Sequence, residues 1–268
     1  MRNASLTLRT DRRAEINIFD LTGKVAIVTG AGTGLGEACA RALSEAGASI
    51  VACGRRKEPL SRVVSEIQGR GGKALAIPTD VTQKKEVDSM VSEALKTFGR
   101  VDILVNNAGI NLVKPFLKLT EAEWDVVLNT NLKGCFYCCQ AVGKGMVERK
   151  SGSIINMVSV FGLTGFMNIS PYIASKGAIV QLTKALAVEW ARYNVRVNAI
   201  APSYIETEMA KRDIESDEKI LQFNLSKIPM RRSGKPHELA GVVVFLASEA
   251  SSFVTGETIA VDGGWLAW

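Results

Sequence analysis

The chain has 268 residues, 47% of them hydrophobic, enough to bury a sizeable core. Its 33 basic residues exceed 27 acidic ones by six, but the excess is spread along the sequence without a dense Lys or Arg run, so nucleic-acid binding is not expected and small anions such as dinucleotides suit the surface better. One histidine, His237, excludes a site built on two, and no stretch approaches the roughly twenty apolar residues that span a bilayer, so no membrane role is expected.

Residues 1–18 read as an N-terminal extension. Arg2, Arg9, Arg12 and Arg13 are offset by Asp11 and Glu15, and the apolar centre of a signal peptide is missing. Five cysteines, an odd number, suggest free thiols and a cytoplasmic, reducing setting. From Phe19 onward the chain reads as a single domain, 19–268, with no repeat and no linker.

The first strand is predicted at 25–28, running into the turn Thr29-Gly30-Ala31-Gly32-Thr33-Gly34-Leu35-Gly36. Leu35, Cys39, Leu43 and Ala46 then recur at helical spacing. Further strands are expected at 49–53, 74–77, 103–105, 153–158, 195–200 and 258–261, separated by helices that include a long stretch over 121–148. Continuous apolar strands alternating with amphipathic helices imply a doubly wound α/β fold, a parallel sheet with helices on both faces.

Two features along this path invite misreading. Cys135, Cys138 and Cys139 share a helix face, but with no second cysteine pair and no neighbouring histidine they read as packing, and no metal is expected. His237 reads as a solvated residue at the start of a helix. The segment 207–232 breaks the rhythm: polar and charged, with Met209, Ile214, Leu221, Phe223, Leu225 and Ile228 spaced through it, it reads as a lid over a substrate.

Gly30, Gly34 and Gly36, with Thr33 and Leu35 between them, stand where a strand hands over to a helix. Small residues there let a pyrophosphate approach the unpaired N–H groups of a helix N-terminus. Where a dinucleotide fold selecting NAD places a carboxylate against the ribose, this chain reads Cys53-Gly54-Arg55-Arg56-Lys57. Arg55, with Arg56 or Lys57, would attract a 2′-phosphate, which predicts preference for NADP(H) over NAD(H). Asp80-Val81 and Asn106-Asn107-Ala108-Gly109 fall at the ends of later strands, on the edge where ligands of such sheets bind, and suit adenine and ribose contacts.

Tyr172 and Lys176, at i and i+4, share a helix face thirteen residues beyond Ser159. An ordinary tyrosine, with a pKa of about 10, is a poor base at neutral pH. An ammonium about 4 Å away at an effective dielectric near 20 would favour the phenolate by at most about 4 kcal/mol, roughly three pKa units. Ser159 could hydrogen-bond the reacting oxygen of a carbonyl or alcohol.

With these motifs assembled, the chain from Phe19 onward resembles a short-chain dehydrogenase/reductase of the compact type. The matches are the glycine turn, Asn106-Asn-Ala-Gly109, Asn131 in Asn131-Leu-Lys-Gly134, Ser159, Tyr172-x-x-x-Lys176 and Asp262-Gly263-Gly264. The resemblance implies a Rossmann-type, three-layer α/β/α fold with seven parallel strands. It makes Ser159 the donor to the substrate oxygen, Tyr172 the general acid/base, Lys176 the ribose contact that lowers the tyrosine pKa, and Asn131 the anchor of a water in a proton relay. It also implies that Pro202, Ile205 and Thr207 contact the cofactor, and that the subunits assemble as a tetramer, or less often a dimer, through the two long helices and the C-terminal strand. The family usually has Pro-Gly where this chain has Pro202-Ser203; the serine would restrict the backbone or reach the cofactor's carboxamide.

The substrate expected is a small carbonyl or alcohol. Phe161, Leu163, Phe166, Met167 and Ile169 would give an apolar pocket. The ending Gly263-Gly-Trp-Leu-Ala-Trp268 is similar to gluconate-type sugar-acid dehydrogenases, for which Lys114, Lys211 or Arg212 could meet a carboxylate. A 3-oxoacyl-thioester reductase is the alternative, and a non-catalytic NADP(H)-sensing protein a second. An epimerase or dehydratase would bring a larger substrate domain.

Overall fold

The computed structural model describes residues 17–212 and 218–268. Most of the N-terminal extension, and Ile214 of the segment read as a lid, therefore lie outside the described residues.

Seven strands run β1 Val25–Thr29, β2 Ser49–Gly54, β3 Ala74–Pro78, β4 Ile103–Asn106, β5 Gly152–Met157, β6 Val195–Pro202 and β7 Thr258–Val261. All neighbours pair in parallel, in the order β3-β2-β1-β4-β5-β6-β7. β1 and β4 are buried at every position, as strands covered on both faces must be. Successive residues point to opposite faces: Ala26 and Val28 enter one hydrophobic core, Val25 and Ile27 the other. The fold class expected from the alternating pattern is the fold observed.

Helices α1 Gly34–Glu45, α2 Lys57–Gly69 and α9 Ala240–Ala247 supply the first core, through residues such as Leu43, Leu60 and Leu246. Helices α3 Lys84–Phe98, α5 Gly134–Arg149 and α6 Ser170–Trp190 supply the second, through Met90, Met146 and Ile179. Cys135, Cys138 and Cys139 are all buried in that second core. His237 is exposed in a short 3₁₀ turn.

The stretch predicted as one helix over 121–148 has an internal break of register. α4 Glu121–Leu128 passes through a π turn, Asn129–Lys133, before α5 begins. One residue more than an α-helix would hold is wound into this turn, a feature that often marks functional sites. Asn131 lies inside it. Beyond β6 come a single turn, α7 Glu208–Ala210, and α8 Glu218–Lys227.

The order reverses between β1 and β4, so the chain leaves their C-terminal ends in opposite directions. The crevice this opens is the standard ligand position of an open α/β sheet.

Candidate active site

A cleft of about 630 Å³ occupies that crevice. One end is the glycine turn after β1. Thr29 organises it from below: its hydroxyl accepts the Asn107 and Ala108 N–H groups at 3.0 Å each. The Asn107 side chain returns a 2.9 Å bond to the Thr29 carbonyl. Gly36 packs so tightly under the turn that a Cβ there would lie 2.2 Å from the Gly30 oxygen and 2.5 Å from Asn107 Nδ2. With no side chain between them, the N-terminus of α1 and the turn backbone face the cleft together, a cradle suited to a pyrophosphate.

Of the residues expected at the cofactor, Gly30, Thr33, Gly34 and Leu35 line this cleft. So do Arg55, Arg56, Asp80 and Val81, as well as Asn107, Ala108 and Gly109, and Pro202, Ile205 and Thr207. Gly36 stands one layer behind. Arg55 and Arg56 are exposed at the rim, and the Arg56 guanidinium comes within 3.7 Å of the Glu208 carboxylate on α7. Pro59 and Leu60 also line the cleft, a wall the sequence reading missed. The proline in the first turn of α2 was the available signal.

The wall behind them is braced by charge. Arg62 donates to both Glu37 oxygens at 2.9 and 2.6 Å and to the Gly32 carbonyl of the turn at 3.1 Å. Arg41 bonds Glu37 and Glu66. The two arginines hold the Glu37 carboxyl below its ordinary range, Arg62 contributing most.

At the other end Ser159, Tyr172 and Lys176 meet. Ser159 is buried just past β5. Its hydroxyl accepts from the Phe161 N–H at 3.2 Å and lies 3.4 Å from the Pro202 carbonyl. Tyr172 and Lys176 come from one face of α6, the lysine Nζ 5.5 Å from the centre of the tyrosine ring. Lys176 is only 4% exposed, and it donates to the Met157 carbonyl at 2.7 Å.

Burial pushes the Lys176 pKa down from 10.5 to about 8. Below pH 8 both folded and unfolded chains hold the proton; between about 8 and 10.5 only the unfolded chain does, so folded-state stability rises with pH through that window. Lys176→Met removes this pH-dependent contribution. Its stability relative to wild type, measured by urea unfolding, should fall by about 2–3 kcal/mol between pH 7.5 and pH 10.5. A pH-independent difference would exclude the depressed pKa.

Asn131 is buried behind the cleft rather than lining it. Its Oδ1 accepts the Ile110 N–H at 2.8 Å, and its Nδ2 donates to the Ile110 carbonyl and to Ser175 Oγ, each at 3.0 Å. The π turn thereby ties the loop after β4 to α6. A Cβ on Gly109 would lie 3.2 Å from Asn131 Oδ1 and 3.6 Å from Lys176 Nζ, so the glycine keeps open a space between these polar groups.

One expectation changes. Lys114 does not line the cleft: its Nζ grips both Glu123 oxygens at 2.7 and 2.8 Å, and holds that carboxyl down to about 2. Ser203 lines the cleft beside Pro202, and its hydroxyl donates to the Asp262 carbonyl at 2.9 Å. Arg212 does line the cleft; Lys211 is exposed beside it. Among the described residues, no group of three or more His, Cys, Asp or Glu could hold a metal, and no helix is long and apolar enough to cross a membrane.

A dinucleotide-shaped crevice with a Ser-Tyr-Lys cluster at one end defines a class, that of nicotinamide-dependent oxidoreductases. A family model described as enoyl-(acyl carrier protein) reductase matches residues 30–266. A 5-keto-D-gluconate 5-reductase of Escherichia coli is 42% identical over 250 residues, 93% of this chain and 98% of its own. A 3-oxoacyl-[acyl-carrier-protein] reductase of Thermotoga maritima is 41% identical over 244 residues, 91% of this chain and 98% of its own. A gluconate 5-dehydrogenase of Burkholderia cenocepacia, solved in complex with NADP and tartrate, superposes with a TM-score of 0.90 at 38% identity, covering 94% of this chain and 98% of that one. The chain belongs to the short-chain dehydrogenase/reductase family.

Proposed function

We propose that the protein is an NADP(H)-dependent oxidoreductase that interconverts a small ketone and its secondary alcohol. The observation that carries this reading is the burial of Lys176 beneath Tyr172, with Ser159 alongside, at one end of a cleft whose far rim bears Arg55 and Arg56. When bound, the nicotinamide would supply or accept the hydride. Ser159 would donate to the substrate oxygen, and Tyr172 would give that oxygen its proton on reduction and remove it on oxidation. The ammonium of Lys176 would favour the phenolate and contact the ribose. Asn131 would anchor the water of a proton relay, for which the space left by Gly109 gives room.

Arg55 and Arg56 support NADP(H), as does the NADP bound by the Burkholderia relative. Arg55→Ala is expected to raise the NADPH dissociation constant about ten- to a hundredfold, the worth of one charge-assisted hydrogen bond. NADH binding should move less than threefold. Fluorescence titration of both cofactors decides it, and equal losses would remove Arg55 from the 2′-phosphate.

The relatives point to a keto-sugar acid or another small ketone as substrate, with a 3-oxoacyl thioester as the second reading. We further read 19–268 as one working unit, with 207–232 as its lid, in a cytoplasmic homotetramer joined through α5, α6 and β7. NADPH consumption across keto-sugar acids, 3-oxoacyl thioesters and simple ketones tests the function. Tight NADPH binding with no turnover on any of them would favour a cofactor-sensing protein.

A further inference from the structure

We infer that Arg62, on α2, is a positioning residue for cofactor binding: it ties back the Gly32 carbonyl so that the following N–H, that of Thr33, is left for the pyrophosphate. The inference rests on the reading of the cleft as a dinucleotide site, and it adds a residue that does not itself line that cleft.

The glycine turn is gripped from behind by one face of α2. Pro59 and Arg62, three residues apart, share that face. A Cβ on Gly32 would lie 2.9 Å from Pro59 Cβ and 3.5 Å from the Leu60 nitrogen, so the helix seats directly on the glycine. Arg62 Nη2 donates to the Gly32 carbonyl at 3.1 Å. A trans peptide sets its C=O and N–H in opposite directions. With the Gly32 oxygen drawn to α2, the Thr33 N–H is turned away from that helix, and Thr33 lines the cleft.

The protein makes no other use of these donors. Thr33 is the N-cap residue of α1, with φ −151° and ψ 163°, a place where a threonine hydroxyl ordinarily accepts from the first N–H groups of the helix. Its side chain makes no such bond. Among the described residues, the Thr33 N–H meets no acceptor either. A turn with unspent N–H groups, whose carbonyl is held back by a guanidinium, is set for an anion.

Glu37, in the first turn of α1, keeps the guanidinium in place. Its two oxygens take Arg62 Nη1 and Nη2 at 2.9 and 2.6 Å. Arg41 and Glu66 complete the network, and the Glu37 side chain is only 19% exposed. Arg62 thus bonds α1 and the turn at once. A lysine would supply the charge but not a planar fork that reaches both.

The test is fluorescence titration of NADPH and NADH on wild type, Arg62→Met, Arg62→Lys and Glu37→Gln, with thermal melts of the cofactor-free proteins to show that each is folded. Arg62→Met, which keeps the apolar stem, is expected to raise both dissociation constants, each about tenfold. That equality separates it from Arg55→Ala, whose loss falls on NADPH. The factor should be the same at about 50 and about 500 mM salt, because a bond to a carbonyl is not screened as attraction across solvent is. Arg62→Lys should remain at least about threefold weaker than wild type for both cofactors. Glu37→Gln should cost about three- to fivefold, and the double variant with Arg62→Met no more than Arg62→Met alone, since both act through one carbonyl. Should Arg62→Met melt below the assay temperature, the Lys and Gln variants carry the test. Unchanged affinities, a loss confined to NADPH, full recovery by Arg62→Lys, or a loss that vanishes at high salt would each overturn the inference. Wild type that bound neither cofactor would overturn it together with the proposed function. The expected losses without reduction of any ketone would count against the proposed function alone.

Discussion

Tyr172→Phe is expected to lower kcat for NADPH-dependent ketone reduction by about 10²- to 10⁴-fold, the usual contribution of a positioned proton donor. The substitution isolates the hydroxyl. Phenylalanine keeps the ring, so the Lys176 ammonium 5.5 Å from its centre retains a cation–π partner, and the helix around it is unchanged. Ser175, which donates to the Tyr172 carbonyl at 2.7 Å, bonds the backbone and is indifferent to the side chain. NADPH affinity should therefore stay within a few fold while turnover falls. Because forward and reverse reactions share one transition state, alcohol oxidation should lose the same factor. Steady-state kinetics in both directions, with NADPH binding read by fluorescence, checks this; a variant within tenfold of wild type would remove Tyr172 as the proton donor.

Gly36→Ala tests the other end of the cleft. Its new methyl would meet the Gly30 oxygen at 2.2 Å and the Gly30 carbon at 2.7 Å on one side, with Asn107 Nδ2 at 2.5 Å on the other. Backbone and a hydrogen-bonded amide cannot both yield without opening the turn. A cost of about 1–3 kcal/mol is expected, a drop of several degrees in Tm for a chain of this size. The NADPH dissociation constant should rise at least about tenfold, because the displaced backbone is the proposed phosphate cradle. Gly69→Ala in α2 is the control: a Cβ there meets nothing within 4 Å, and alanine is the better helix former. Thermal melts with and without NADPH separate the two effects. Equal behaviour of the two variants would show that the turn has slack the geometry denies it.

The sheet was legible because its signal is redundant. β1 and β2 are apolar runs bounded by glycines, and a strand buried on both faces tolerates little else. The cleft was legible because Gly30, Ser159, Tyr172 and Lys176 each sit at a strand end or on one helix face, where local spacing decides position. What could not be read were pairings between distant residues. Nothing in the order of the chain brings Lys114 to Glu123 rather than to a substrate carboxylate, and only the fold places Ser203 against the Asp262 carbonyl, 59 residues on. The π turn was invisible for a different reason. Asn129, Thr130 and Asn131 are weak helix formers, which marks a soft stretch but not a π turn, and the extra residue is stabilised by what Asn131 finds on neighbouring elements.

That extra residue is absorbed where it stands. An α-helix advances about 100° per residue, so a residue added to an unbroken helix would roll everything after it by that angle. The π turn closes its circuit with one residue more, and α4 and α5 keep a common phase on either side of it. Deleting Thr130 and restoring a plain helix would therefore leave Cys135, Cys139 and Met146 facing the core. What would go is the widened turn from which the Asn131 amide brackets Ile110 and reaches Ser175. The interior can spare this residue and the crevice cannot.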